Sequence, residues 1–261
     1  MILQILLFGL ALANPVNVTS VYDGDTFTLA NGDKVRLAGV NTPELRPAEA
    51  YGVEARDSAE GFLQRGEVVL VGAGSRDSYG RVLAAVEVDG RSLTEHLIRR
   101  GMGHIFIIPP IGEGINLPSL LVAQQLAKAE NLGIWSTDRY QGTLHITSFH
   151  ANAAGDDREN VNGEYLRVCN ISNEPVNVDG YRITDAGRGN WVFPPITIPP
   201  GHTVKVHSGV GVNQADPRHQ LEIYLGSEYP IWNNRHDRAT IYDRFGTISD
   251  VRTHESEHAG R

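Results

Sequence analysis

The rhythm of hydrophobic and polar positions changes several times along this chain. From Val16, β-branched and aromatic runs alternate with turn residues: "VNVTSVYDGD", "DTFTLA" and "DKVRLAGVN" read as three strands, with Asn31-Gly32 as the turn after the second. Pro43 stops the third. In "AEAYGVEARDSAEGFLQ" the apolar positions Tyr51, Ala55, Ala59, Phe62 and Leu63 recur at helical spacing. "EVVLVGAG" and "GRVLAAVEV" return to strand, and Asp89-Gly90 marks another turn. "SLTEHLIRRG" predicts a helix with Ser92 as N-cap, Glu95 closing a capping box and Gly101 at its end. "LPSLLVAQQLAKAENLGIW" predicts a third helix with Pro118 in its first turn. After "WSTDRYQG" helical periodicity stops. "LHITSFHA", "EYLRVCNI", "WVFPPITI", "HTVKVHSG", "LEIYLG" and "ATIYDRFG" alternate with Gly, Pro, Asn and Asp clusters, the pattern of a β-sandwich.

The first half therefore runs three strands, helix, two strands, helix, helix, an order compatible with an OB-type five-stranded β-barrel with helices. The second half reads as an all-β immunoglobulin-like sandwich. Expected boundaries are a signal peptide at 1–13, a first domain at 16–136, a linker at 137–142, a second domain at 143–254 and a disordered tail at 255–261. The signal expectation rests on the uncharged apolar run Ile2 to Ala13, too short to span a bilayer, ending in the small-x-small pattern Ala11-Leu12-Ala13. It places the protein outside the cell or at its surface.

Composition narrows the chemistry. The 261 residues are 41% hydrophobic and 21% charged, enough apolar material for a buried core. A net charge of −8 means that any polyanion must be met by a local cluster of Lys and Arg. One cysteine, Cys169, excludes an intramolecular disulfide and cysteine-rich zinc sites; it reads as a small, half-buried strand residue.

Candidate chemistry gathers early. Asp23 and Asp25 flank Gly24, where a bend can break strand parity so that only one acid need face a pocket. Asn41, Thr42 and Glu44 follow the third strand. If these segments adjoin, carboxylate, amide and backbone oxygens converge, a donor set suited to Ca²⁺ or Mg²⁺. The same residues also suit a solvated turn and a helix cap. Arg36 and Arg81 can grip a phosphate through planar guanidinium groups, or simply form surface ion pairs.

The motifs "VYDGDTFTL", "VRLAGVNTPE", "YGVEA", "SYGRVLA", and "LIRRGMG" through "NLGIWS" resemble, in order and spacing, the staphylococcal nuclease family over residues 16 to 136. The resemblance implies an OB-type barrel and Ca²⁺-dependent phosphodiester hydrolysis of DNA and RNA, preferably single-stranded or unpaired, leaving a 5′-hydroxyl and a 3′-phosphate. Carried over, Asp25 is the carboxylate metal ligand, Asn41 stands at the second ligand position and Thr42 gives its carbonyl. Glu44 serves the attacking water, Arg36 and Arg81 serve the phosphate, and Tyr79 lies beside the nucleotide. Asn41 departs from the family Asp, which implies a weaker Ca²⁺ site. Ser78 replaces a basic residue, and "GHIFIIPP", with Ile107 and Pro109, lacks the family's stacking tyrosines. A degenerate barrel that binds without cutting is the alternative; the presence of Arg36, Glu44 and Arg81 favours catalysis.

From "NGEYLRVCN" through "WNNRHDRATIYD" the chain resembles the lamin tail domain over about residues 143 to 254, which implies a binding or tethering module, for a cell surface or extracellular matrix, with no catalytic residues to carry over. Trp191, Trp232 and Tyr242 read as core or turn anchors. Asn17 and Asn170 head glycosylation sequons.

Overall fold

The computed structural model describes residues 14–256. The expected signal peptide at 1–13 and the end of the expected tail, 257–261, lie outside the described residues.

The first half opens with β1 (Val18–Val21), β2 (Thr26–Leu29), β3 (Lys34–Leu37) and β4 (Gly39–Asn41), followed by α1 (Gly52–Leu63). Then come β5 (Val68–Arg76), β6 (Val82–Val88), β7 (Arg91–Ser92), α2 (Leu93–Arg99), β8 (His104–Phe106) and α3 (Leu117–Ala129). "DKVRLAGVN", expected as one strand, is two. Gly39 sits at φ +82°, a conformation other residues rarely adopt, and it turns the chain out of the main sheet. β4 pairs instead with β8, a strand the sequence pattern did not reveal. The α2 start is as expected: Ser92 Oγ accepts from the Glu95 amide at 3.2 Å. α3 stops at Ala129, and Gly133–Ser136 forms a separate 3₁₀ turn.

The main sheet runs β1-β2-β3-β6-β5 with β7 appended to β6. β3 and β6 are parallel and their neighbours antiparallel. Among the described residues no ladder joins β1 to β5, so the expected closed barrel is not found. One bridge spans the gap, from the Val16 amide to the Val68 carbonyl at 2.8 Å. Pro15 has no N–H to extend it, and the Asn17 carbonyl is taken by Ala30 on the other side. Phe27, Val35, Leu37 and Val86 meet Leu97 and Ile105 in a core that excludes water almost completely.

The second half contains β9 (Leu144–His150), β10 (Tyr165–Asn170), β11 (Val176–Asn177), β12 (Arg182–Thr184) and β13 (Asn190–Val192). It continues with β14 (Thr197–Ile198), β15 (Thr203–His207), β16 (Leu221–Tyr224), β17 (His236–Tyr242) and β18 (Ile248–Glu255). Two four-stranded sheets, β16-β15-β10-β9 and β13-β12-β17-β18, enclose Leu166, Val168, Ile183, Val204, Ile223 and Ile241. Trp232 is buried against this core and Trp191 packs on it, as expected of anchors. Glu255, expected as the first residue of the tail, is strand, because β18 pairs with β17 as far as that residue.

The two halves are fastened together. The Ile107 amide donates to the Gly201 carbonyl (2.8 Å), and the Thr203 amide returns a bond to the Ile107 carbonyl (3.0 Å). Gln124, fully buried on α3, accepts from the Ile105 amide and donates to the Ile171 carbonyl. Ile134, Trp135, Tyr140, Cys169 and Ile171 form a small apolar cluster at this junction. Residues 137–142, expected as a linker, contribute Tyr140 to it. Cys169 is fully buried and donates its thiol toward the Ile105 carbonyl at 3.3 Å; burial pushes its pKa up and makes it inert. Asn170 is also fully buried, its amide bonded to the Glu174 and Ile198 carbonyls, so that sequon is closed to modification in the folded state.

Candidate active site

Asp25 leaves the β1–β2 bend with both carboxylate oxygens engaged. Oδ2 accepts from the Thr42 amide (2.9 Å) and hydroxyl (3.1 Å), and Oδ1 lies 3.2 Å from Arg36 Nε. The intervening Gly24 is required by space: a Cβ there would lie 2.8 Å from the Thr42 side chain and 2.9 Å from Ala55. This bend brings "DGD" against "NTPE". It also resolves the parity question: Asp23 and Asp25 both line the cleft, and Asp23 Oδ1 accepts the Asp25 amide at 3.0 Å.

Burial, and then crowding by neighbouring charge, raises the proton affinity of two of the acids. Burial, then the Asp25 charge, pushes Asp23 up to about 6. Burial, then the charges of Asp25, Asp23 and Glu49, pushes Glu44 up to about 7. A carboxyl at that value can take up a proton near neutral pH.

Arg36, from β3, lies along the floor. Its Nη1 donates to the Leu37 and Val40 carbonyls (2.6 and 2.9 Å), and its Nη2 to Asn41 Oδ1 (3.2 Å). Most of its donors therefore hold the protein itself. Arg81, at the start of β6, is different. Its Nε bonds Asp77 Oδ2 at 2.7 Å and its Nη1 reaches Thr26 Oγ1 at 3.3 Å, which leaves the rest of the guanidinium fork open to the cleft. Tyr79, 73% exposed at the lip, lies under Arg81 at 5.4 Å from its ring centroid. Ser78, where the resemblance leads one to expect a base, also lines this rim. Ile107 is buried in the junction, so it cannot stack on a base.

Of the residues singled out from the sequence, Asp25, Arg36, Asn41, Glu44, Tyr79 and Arg81 all line one cleft of about 1040 Å³, with Thr42 buried behind Asp25. The motifs did not reveal the residues that hold them. Asp77 orients Arg81; its position four before that arginine was the available signal. Glu49 orients Glu44: its Oε2 accepts the Glu44 amide at 3.0 Å, and its Oε1 meets Arg139 at 2.8 Å and Arg252 of β18 at 3.4 Å. Nothing local in the sequence marks that clasp.

The donors fit a hard cation in kind. The carboxylates of Asp23, Asp25 and Glu44, the Asn41 amide and the backbone are oxygen groups, and three acids line one cleft. Among the described residues no three His, Cys, Asp or Glu side chains are grouped to hold a metal unaided, so amide, backbone and water oxygens would have to complete a shell.

The staphylococcal nuclease homologue profile matches residues 34–137 and the lamin tail domain profile residues 137–256. The endonuclease YncB of Bacillus subtilis is 34% identical over 137 residues, 48% of this chain and 64% of its own. The prophage-derived endonuclease YokF of the same organism is 32% identical over 135 residues, 48% of this chain and 45% of its own. The chain thus spans less than two thirds of the length of these relatives. The thermonuclease of Staphylococcus intermedius is 31% identical over 126 residues, 45% of this chain and 74% of its own. With that match across most of a thermonuclease, and with the cleft residues in place, this chain belongs to the staphylococcal nuclease homologue family, its nuclease-like half followed by a lamin tail domain.

Proposed function

We propose that the protein is a secreted, Ca²⁺-dependent nuclease that hydrolyses phosphodiester bonds of single-stranded or unpaired DNA and RNA, leaving 3′-phosphates. The observation that carries this reading is the placing of Arg81, Arg36 and a Glu44 raised to about 7 around one cluster of acids in a single cleft. The relatives named as endonucleases and thermonuclease support the same class.

Asp25, Asn41 and the Thr42 carbonyl would hold Ca²⁺, which when bound supplies charge neutralisation and water activation. Arg81 presents its open N–H groups to a phosphate oxygen and stabilises charge that grows there as phosphorus becomes five-coordinate. Arg36 fixes the mouth of the β3–β4 turn and the Asn41 side chain, and so positions the site. Glu44 takes the proton of the attacking water, and Glu49 keeps its loop in place. The lamin tail domain tethers the enzyme to a surface or matrix, and the apolar run Ile2 to Ala13 directs export.

The test is cleavage of heat-denatured DNA and of RNA by the purified chain, with Ca²⁺ and with a chelator. Ca²⁺-dependent shortening, with ends that accept 5′-phosphorylation directly, is expected. Binding without Ca²⁺-dependent cleavage overturns the proposal in favour of a degenerate barrel.

A further inference from the structure

The cleft does not end at the nuclease-like half. Thr147, Ser148 and His150 of β9 and Tyr165 and Arg167 of β10 line the same cavity as Asp25 and Arg81. These residues share the outer face of the β16-β15-β10-β9 sheet: Tyr165 stands opposite His150, and Arg167 opposite Ser148 on one side and Lys205 on the other. The inner face carries Leu166 and Val168 in the core. Backbone bonds between Ile107 and the Gly201–Thr203 segment fix this sheet against the nuclease-like half.

The face has the chemistry of a strand-binding platform. Lys205 Nζ lies 3.9 Å from the Tyr165 ring centroid, and His150 stacks on the same ring at 4.2 Å. The Arg167 guanidinium is held by the neutral Gln220 Oε1 (2.5 Å) and Thr203 Oγ1 (3.3 Å). Among the described residues neither Arg167 nor Lys205 enters an ion pair; the acid nearest in register is Glu222, opposite Lys205. Burial, and then mutual repulsion with Arg167, lowers the proton affinity of Lys205. In a chain with net charge −8, two cations outside any ion pair form a local positive site at the cleft: Arg167 lines it, and Lys205 lies over the ring of Tyr165, which lines it too. Across it stand Tyr79, close enough to Tyr165 to affect its ionisation, and the aliphatic Ile108 and Ile111.

We propose that this face of the lamin tail domain is the second wall of the substrate cleft. Arg167 and Lys205 would receive phosphates of a single polynucleotide strand beside the scissile bond, and the edge of Tyr165, whose ring already carries His150 and Lys205, would contact one of its bases. Cationic grooves with aromatic platforms bind single strands in this way, without sequence preference. The proposal rests on the nucleic-acid reading given above, but it assigns the domain a part in substrate binding rather than in tethering alone.

The test measures fluorescence anisotropy of 5′-labelled dT12 with the full chain in EDTA across a salt series, for the parent, Tyr165→Ala and Lys205→Gln, after equal melting temperatures have been checked. Tyr165→Ala should weaken binding about fivefold, the low end for a lost aromatic contact with a base. Lys205→Gln should lower the slope of log affinity against log salt by about 0.7, the signature of one lost phosphate contact on a single strand, which a purely structural lysine would not change. If both variants match the parent in affinity and slope, or if the parent fails to bind dT12, the proposal is overturned. Because binding is read without metal, a chain that shows these losses yet never cuts with Ca²⁺ refutes the nuclease reading and leaves the wall standing. A chain that cuts but shows no losses does the reverse.

Discussion

Glu49→Gln removes one charge from the point where the two domains meet the loop that carries Glu44. The Glu49 side chain is 11% exposed, while those of Arg139 and Arg252, at 2.8 and 3.4 Å, are 29% and 17% exposed. Burial alone would raise this carboxyl, but the two arginines outweigh it and hold it below the usual carboxylate range. Taking one partner from a buried pair costs ~3–5 kcal/mol, because the other charge is left without compensation. Partial exposure of both arginines argues for the low end, about 3 kcal/mol. At ~2–4 °C per kcal/mol for a chain of this size, the melting temperature should fall by roughly 6–12 °C. A group with a depressed folded pKa contributes stability above its unfolded value and loses it as pH falls through the folded value. The gap between parent and Glu49→Gln should therefore be full at pH 7 and shrink below pH 4. Calorimetric melts of Glu49→Gln, Arg252→Gln and the double variant measure this. The two single losses should not add, since each removes the same contact. Strict additivity, or a Glu49→Gln melt within 1–2 °C of the parent at pH 7, would refute the clasp.

Other outcomes follow from the site and the junction. His104 is fully buried on β8 beside His145, and burial, then the His145 charge, lowers it from 6.5 to about 3. It must stay neutral in the fold, so stability is full above pH 6.5 and falls by ~1.4 kcal/mol per pH unit below it, about 2 kcal/mol by pH 5. Urea titrations of His104→Gln should lack that share of the pH dependence, and an unchanged pH profile would count against it. Arg81→Ala should lower kcat on denatured DNA by about 100-fold or more, the usual loss when a donor to developing charge is removed; activity equal to the parent would remove Arg81 from the mechanism. Asn41→Asp adds a charged oxygen where Asn41 Oδ1 now accepts from Arg36, and calorimetric Ca²⁺ titration should show affinity higher by about tenfold. Unchanged or weaker binding would mean that Asn41 is not a ligand. Gly24→Ala should destabilise the fold by ~1–3 kcal/mol in urea, because its Cβ meets Thr42 and Ala55 inside contact distance.

Much of the first domain was legible because its signals are local. Capping at Ser92, Pro118 in the first turn of α3 and the helical spacing of Ala55, Ala59 and Phe62 each depend on residues within one or two turns, and each appears in the fold. The motif positions Asp25, Arg36, Asn41, Glu44 and Arg81 were legible for a related reason: their spacing survives as a pattern even though their meeting is long-range. Where neighbours along the chain could not decide, local pattern misled. Gly39 looked like a residue within a strand until its positive φ split "DKVRLAGVN" and sent β4 to β8, itself too short to carry a periodic signal. Glu255 looked like the start of a tail because a polar residue gains strand order only from a partner, here β17.

Residue order alone settles which chemistry this chain carries: oxygen donors, two arginines, a glutamate beside other acids and a second, all-β domain. How that chemistry is held and shared is settled by packing. Glu49 and Arg252 act through contacts with no fixed spacing, and Tyr165 and Arg167 reach the cleft only because backbone bonds at Ile107 fix the second domain there. Periodicity and motif spacing report forces within a segment. Burial, ion pairing across domains and the walls of a cleft depend on where distant segments pack, and that is set by the sum of all their contacts.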